Sequence, residues 1–319
     1  MAAYIVRRLL WTVVLLLVIT AVTFLIFYVM PTADPAALRA GKDPTEALIE
    51  SIRSQLGLDL PLYEQYWNYI RDLFLHFDFG TSFVNDADVK QLIFDRIPNT
   101  LFLVFGAAVI WFVVGVSIGI ISAVFRGRVW DRLLMGLALV AISAPVYWLG
   151  YLMILLFSND IGQFQLFAGS GATQEEGLSF LEKCWAYLLP WLVLSSAFAA
   201  IYARLLRSNL LETLSEDYIR TARAKGLSER VIVLRHGVRS AITPVVTVLG
   251  LDIGILFGGA ILTETVFNVN GVGRLAYDAI QRNDLATVQG TTLFLALGVA
   301  LMSLIVDIVY AYLDPSVRY

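Results

Sequence analysis

Six long apolar runs constrain this chain more than any other feature. They fall near residues 9–30, 99–125, 133–158, 186–202, 244–263 and 285–311. Each can cross about 30 Å of hydrocarbon, which takes roughly 20 helical residues. The apolar residues are clustered, not spread at a period of 3.6 or 2, so the implied solvent is lipid. Composition agrees. Of 319 residues, 58% are hydrophobic and only 15% are charged, and a soluble domain of this length keeps more charge on its surface. The expected fold class is an all-α polytopic membrane protein with six transmembrane helices.

The first run follows Arg7 and Arg8, as a secretory signal would. Its apolar stretch of about 22 residues exceeds the roughly 7–15 of a signal peptide, and no small-x-small cleavage site follows. A retained signal anchor is expected. With the N-terminus in the cytoplasm, 14 basic residues fall inside and 9 outside, six of the nine in one long segment that counts little. Six spans then place both termini in the cytoplasm. All 23 basic residues lie outside the runs. Two acids, Asp252 and Asp307, lie inside them, and the cost of a bare carboxylate in lipid turns both toward protein or a wet cavity.

Several chemistries are excluded. The net charge of −3 leaves no nucleic-acid footprint. Cys184 is the single cysteine, so no disulfide forms within the chain, and it reads as a small buried apolar residue. His76 and His236 are far apart and give no metal spacing. None of the four lysines sits in a P-loop, so the chain itself holds no ATP. Gly115-Val116-Ser117-Ile118-Gly119 matches a hydrolase elbow in letters, but within an apolar helix its glycines read as a packing face. Gly250, Gly254 and Gly258 repeat that spacing and suit a helix or subunit interface. Gly271-Val272-Gly273-Arg274 matches a loose dinucleotide fingerprint without βαβ context and is rejected.

The outside segment, residues 31–97, carries eleven acids against six bases. Residues 44–57 and 61–77 read as short helices opened by proline. Tyr63, Tyr66, Trp67 and Ile70 form one stripe, which suits either a cap on the membrane surface or a docking face. The connection between runs four and five, about residues 204–243, holds eight bases and four acids. Thr213 and Glu216 match a capping box, Lys225 ends the turn, and Gly226 suits a left-handed cap. A helix over 216–225 is predicted. Ser228 is placed to cap a second one that carries Val231, Ile232 and Leu234. Such a loop presents a rigid helix sideways to another protein, or lays it on anionic lipid.

The run Tyr218-Ile219-Arg220-Thr221-Ala222-Arg223-Ala224-Lys225-Gly226-Leu227, with Pro244 beyond, resembles the cytoplasmic loop of binding-protein-dependent ABC permeases of the dipeptide, oligopeptide, nickel and glutathione branch. Agreement continues in order through Met30-Pro31, Leu56-Gly57-Leu58-Asp59, Phe79-Gly80-Thr81-Ser82, Pro98-Asn99-Thr100-Leu101, Trp148-Leu149-Gly150, Glu264-Thr265-Val266-Phe267, Gly271 to Leu275 and Leu313-Asp314-Pro315. Arg220, Thr221 and Ala222 stand where the generic loop has Glu-Ala-Ala, and Asp252 stands where a neutral polar residue is usual.

The resemblance implies a type I importer permease fold, with an N-terminal helix and extracytoplasmic segment over 1–97 and a permease core over 98–319. It implies a second permease subunit, usually a non-identical one, two P-loop ATPase subunits that hold ATP and Mg, and an external solute-binding protein. No cofactor belongs to this chain. Glu216, Arg220, Thr221, Ala222, Arg223, Lys225 and Gly226 become candidates for ATPase coupling, with Ala222 and Gly226 packing closely. Asp252 becomes a candidate for the translocation path, where it attracts a cationic group, or else a carboxyl bonded to a neighbouring helix. Glu264, Gly271, Gly273 and Arg274 become candidates for the external gate and binding-protein contact. Peptide import is the expected function, with nickel or glutathione as the alternative on the same architecture. An ion-gradient transporter is the competing class, but no internal repeat supports it.

Overall fold

The structure is a computed structural model. It describes residues 2–29, 34–41, 44–175 and 177–313, and the side chains of these apart from 2–5, 257–259 and 306–313. The expectations for Met30-Pro31, Asp314-Pro315, the C-terminal end, the packing of Gly258 and the side chain of Asp307 lie outside what is described.

The regular elements are helical: α1 (Ala2–Phe24), α2 (Pro35–Ala40), α3 (Glu46–Gln55), α4 (Leu62–His76), α5 (Val89–Phe94), α6 (Ile97–Val124), α7 (Val129–Ser143), α8 (Val146–Phe157), α9 (Phe180–Thr213), α10 (Asp217–Ala224), α11 (Glu229–Val231), α12 (Val238–Ala241), α13 (Thr243–Gly259), α14 (Ile261–Val266), α15 (Val272–Gln281) and α16 (Leu285–Leu313). Pairing of β type is limited, among the described residues, to two isolated bridges, Thr81 with Asp88 and Ser158 with Phe167. Lipid offers no hydrogen bonds to a backbone, so long apolar segments close their own as helices.

Four helices are long and apolar enough to cross a membrane, and six spans result if two bent pairs each count as one. The third apolar run is not one continuous helix. Between α7 and α8 the axis turns by 107°. Ala144 is extended, at ψ 125°, and Pro145 follows. A proline disfavours helical backbone in the residue before it and has no N–H to give. The pieces, 15 and 12 residues, are each shorter than a span. The fifth run begins after a 48° bend, with Pro244 in the first turn of α13, and is broken again at Ala260. The fourth is longer than its apolar middle. α9 has 34 residues, opened by a capping box in which Glu182 accepts from the Ser179 N–H at 2.8 Å.

The chain forms two compact units. One comprises Met1–Thr100, Phe257–Ile261 and Asn270–Tyr319, the other Leu101–Leu256 and Leu262–Val269. This division differs from the continuous one at residue 97, because α16 packs on α1.

In the first unit, α4 is held to α1 by Phe24, whose ring lies 5.2 Å from that of Tyr66, and by the Tyr66 hydroxyl 3.2 Å from Thr20 Oγ1. The expected α4 stripe is split. Tyr66 and Ile70 are half-buried, while Tyr63 and Trp67 are 72% and 66% exposed. Proline does not open the first turns as expected. Thr45 caps α3, and Pro61 is the residue before α4. Val89, Ile93, Val272, Leu275 and Leu295 form a buried core. Asp284, itself buried, ties α16 to the Ser82 turn by accepting from the Phe83 N–H at 2.9 Å and from the Ser82 hydroxyl.

Candidate functional site

The second unit is built around α9, whose buried face carries Ala199, Tyr202, Ala203, Leu206 and Leu210. That spacing of three and four keeps one face in line. α6 lies against it through glycines. A methyl group on Gly115 would come within 2.7 Å of Tyr202 Cβ and 2.8 Å of the Ala199 carbonyl. At Gly119 it would come within 2.9 Å of the Ala203 carbonyl. The small-residue face expected at Gly115 and Gly119 is therefore an internal seam of this chain. Gly106 extends it against the Trp191 indole, a position missed in the sequence because it breaks the four-residue period. The Ser117 hydroxyl is spent on the Val113 carbonyl of its own helix at 2.7 Å, which removes the hydrolase reading.

The loop after α9 carries the predicted helix. α10 starts after Glu216 and ends at Lys225, about 12 Å long at 1.5 Å per residue. Its start differs from the expected capping box. Thr213 is still the last residue of α9, and Glu216 makes no side-chain cap bond. A capping residue must be extended, and Thr213 is helical. Likewise Ser228 precedes α11 without a side-chain cap bond, and the second helix is short and passes into a π-helical turn, Ile232–Gly237.

The far end of α10 is as predicted. Gly226 has φ +80°. Its N–H bonds the Arg223 carbonyl at 2.9 Å, and the Leu227 N–H bonds the Ala222 carbonyl at 3.3 Å. This pair of bonds is the Schellman ending, which needs a left-handed residue between. A methyl group on Gly226 would meet nothing within 4 Å, so the glycine serves conformation and not close packing within the chain.

The underside of α10 is apolar. Ile219 and Ala222 are buried against Ile232, with Leu214 packed beside them. Ala222 packs closely, and the residues it packs on are those of its own loop. Glu216, Arg220, Thr221, Arg223 and Lys225 are exposed. Arg220 pairs with Asp217 at 3.2 Å, and Arg223 pairs with Glu229 at 2.7 Å. The hydrogen-bonded Glu229 carboxylate holds the Arg223 guanidinium above its ordinary pKa. The π-helical turn sits on α9. A methyl group on Gly237 would lie 2.9 Å from Leu210 Cδ1 and 3.2 Å from Leu214 Cδ2.

Asp252, on α13, is half-buried and accepts a hydrogen bond from the Tyr202 hydroxyl at 2.8 Å. It is therefore bonded to a neighbouring helix, one of the two expectations for it, while keeping part of its surface open. Tyr202 is fully buried, with its ring edge-on to Trp111 at 6.3 Å. Nothing near Asp252 in the chain marks this partner, which lies 50 residues away on α9. Gly254 is buried and Gly250 half-buried. Cys184 is half-buried, more open than its expectation.

The external-gate candidates divide by unit. In the second unit Glu264 is fully buried, so its side chain does not reach the surface. In the first, Gly271 stands before the first residue of α15 and Gly273 is buried within that helix. Arg274 lies 3.7 Å from Asp278 on the same helix. Among the described residues no group of three or more His, Cys, Asp or Glu is arranged to hold a metal.

Long apolar helices fit a multi-pass membrane protein, and the polar helix α10 is exposed on one side and anchored by its apolar underside. Comparison with known proteins agrees. Residues 115–319 match the family of binding-protein-dependent transport system inner membrane components, and residues 1–104 match the N-terminal membrane component of such systems. The chain belongs to this family, the permeases of ABC importers. It is a multi-pass inner-membrane transport subunit and not the ATPase, and it works with separate ATPase and binding-protein chains.

The chain is 42% identical over 320 residues, with 100% of both chains covered, to the glutathione transport system permease protein GsiC of Salmonella typhimurium. It is 41% identical over 320 residues, again with both chains fully covered, to the protein of that name in Escherichia coli K12.

Proposed function

We propose that the chain is one permease of an importer for glutathione or a closely similar short peptide, driven through α10. End-to-end identity of 42% with glutathione permeases carries the substrate part of this reading. The sequence motifs favoured di- and oligopeptides, with glutathione or nickel second; the relatives favour that second reading. The two overlap chemically, because glutathione is a tripeptide with one ammonium and two carboxylates.

The excess of basic residues in the loops around 126–132 and 204–239 supports a cytoplasmic position for them and for both termini. α10 then faces the ATPase. Glu216, Arg220, Thr221, Arg223 and Lys225 make the contact, and Ala222 and Ile219 fix the helix from below. Gly250, Gly254 and Gly258 suit close approach of a second, similar permease. At the outer side Arg274, half-buried on α15, is the candidate for contact with the binding protein, and the buried Gly271 and Gly273 set the start of that helix.

The test is reconstitution with the second permease, both ATPases and the binding protein in vesicles. ATP-dependent uptake of labelled glutathione is expected, with simple dipeptides competing weakly. Uptake of dipeptides but not glutathione would replace the substrate. Uptake on an ion gradient without the ATPases would reject the mechanism.

Asp252, held by Tyr202, is placed in this reading on the path, where it meets the solute ammonium. Asp252→Asn is expected to slow uptake of the free-amine solute about tenfold, the worth of one charge-assisted hydrogen bond. The N-acetylated analogue should be little affected. Equal slowing of both solutes would remove Asp252 from the path.

A further inference from the structure

A second feature of α9 lies one turn beyond the glycine seam. Asp131, in the first turn of α7, is buried, with its side chain 6% exposed. Arg207 of α9 grips it with two bonds, Nε to Oδ1 at 2.8 Å and Nη2 to Oδ2 at 2.8 Å. The Gly127 N–H donates to Oδ2 at 2.8 Å, and the Ser122 hydroxyl of α6 donates to Oδ1. Four donors therefore converge on one carboxylate, from α6, from the turn after it and from α9.

Asp131 is buried while Arg207 keeps 27% of its side chain exposed, and the cost of desolvating the carboxylate offsets much of the attraction, so the pair adds little net stability. What two parallel bonds add is fixed geometry. The Asp131 charge also suits the start of α7, where the helix dipole is positive. The place of this pair gives the geometry its meaning. Arg207 lies six residues before the end of α9, about 9 Å along the axis. Beyond it, Leu210 and Leu214 support the π-helical turn at Gly237, and Leu214 joins Ile232, Ile219 and Ala222 under α10. Before it, Gly119 and Gly115 hold α9 to α6. The mount of α10 is thus continuous with α9, and α9 is bonded to α6 and α7 at Asp131.

We propose that Asp131 and Arg207 are positioning residues that lock α9 to α6 and α7, so that displacement of α10 moves these helices as one body. Without the lock, α9 turns against its neighbours along the glycine seam, and motion of α10 is lost before it reaches Tyr202 and the Asp252 it holds. This inference rests on the coupling reading of α10. The test measures this coupling directly.

The assay uses the complete transporter in vesicles, with ATP hydrolysed and solute imported measured together. Asp131→Asn keeps the size of the side chain and removes its charge. It is expected to leave the chain in the complex and hydrolysis running, with solute imported per ATP reduced about tenfold, the usual scale of coupling between sites. Arg207→Lys keeps the charge, loses the paired bonds and should fall in the same direction. Ser122→Ala removes one donor and should fall least.

The double variant Asp131→Asn with Arg207→Lys should be no worse than the poorer single one, as for two residues acting together. Unchanged import per ATP in Asp131→Asn and Arg207→Lys would overturn the lock. So would losses of uptake that only follow loss of the chain from the membrane in all three single variants. If Gly226→Val imports normally, the coupling reading itself fails. If Gly226→Val is inactive while Asp131→Asn imports normally per ATP, only the lock fails.

Discussion

Gly226→Val is expected to cut ATP-driven uptake below about a tenth of wild type while the chain still inserts and assembles. The argument is conformational. At φ +80° an L-residue is strained, by roughly 1–2 kcal/mol for an ordinary side chain and more for a β-branched one. Space is not at issue, because a methyl group there meets nothing within 4 Å. Relief of the strain breaks the two backbone bonds that end α10, each worth about 0.5–1.5 kcal/mol. The last turn of α10 then frays, and the exposed residues Arg223 and Lys225 lose their fixed positions. Asparagine enters the left-handed region far more readily, so Gly226→Asn should keep most of the uptake. Uptake by vesicles, set against membrane content from immunoblots, reads both. Equal losses in Val and Asn variants would mean that the position needs a missing side chain and not a backbone angle.

The second large effect is expected at the seam. Gly115→Leu should strip most of the chain from the membrane fraction, and the remainder should melt at a lower temperature in detergent. The first carbon of any side chain there lies under 3 Å from both Tyr202 Cβ and a backbone carbonyl of α9. The carbonyl has no rotamer to yield, so the helices must part. Overpacking of a filled interior costs about 1–3 kcal/mol, and here it also opens the contact that holds Tyr202. Gly136 on α7 is the control, with nothing within 4 Å of an added methyl. Gly136→Ala should be neutral or slightly stabilising, since alanine favours helix by about 1 kcal/mol over glycine. A Gly115→Leu chain as abundant and as stable as wild type would show that α6 and α9 are not packed this closely.

Both predictions start from glycines visible in the sequence, but their reasons differ in legibility. Gly226 follows a basic residue at the end of a short helical pattern, and its left-handed angle is a local property of that pattern. Gly115 and Gly119 show a spacing, and the spacing does not name the partner. The alternatives were another helix of this chain or another subunit, and the positions of Ala199, Tyr202 and Ala203 decide for the first. The same limit applies to α10. Its presence and its glycine ending are legible, while its start, and the inward turn of Ala222 over Ile232, are not.

The break in the third run is not legible from hydropathy, which counts apolar residues and does not register an extended residue before a proline. The capping box was misread because α9 continues past its apolar stretch. The helix rule saw a threonine in front of a helix and could not see that another helix already owned it.

The sequence alone determined that this chain lives in lipid, how many apolar runs it brings there, and where a rigid polar helix with a glycine ending leaves the bilayer. These follow from hydropathy and backbone angle, which are set by residues near one another in the chain. Only the tertiary structure decided that Asp131 meets Arg207 and that Tyr202 meets Asp252, pairs 76 and 50 residues apart. A charged or polar group carries no mark of its partner in its own neighbourhood. The pairing exists because helix packing brings two desolvated groups within reach, where each must bond the other or remain unsatisfied.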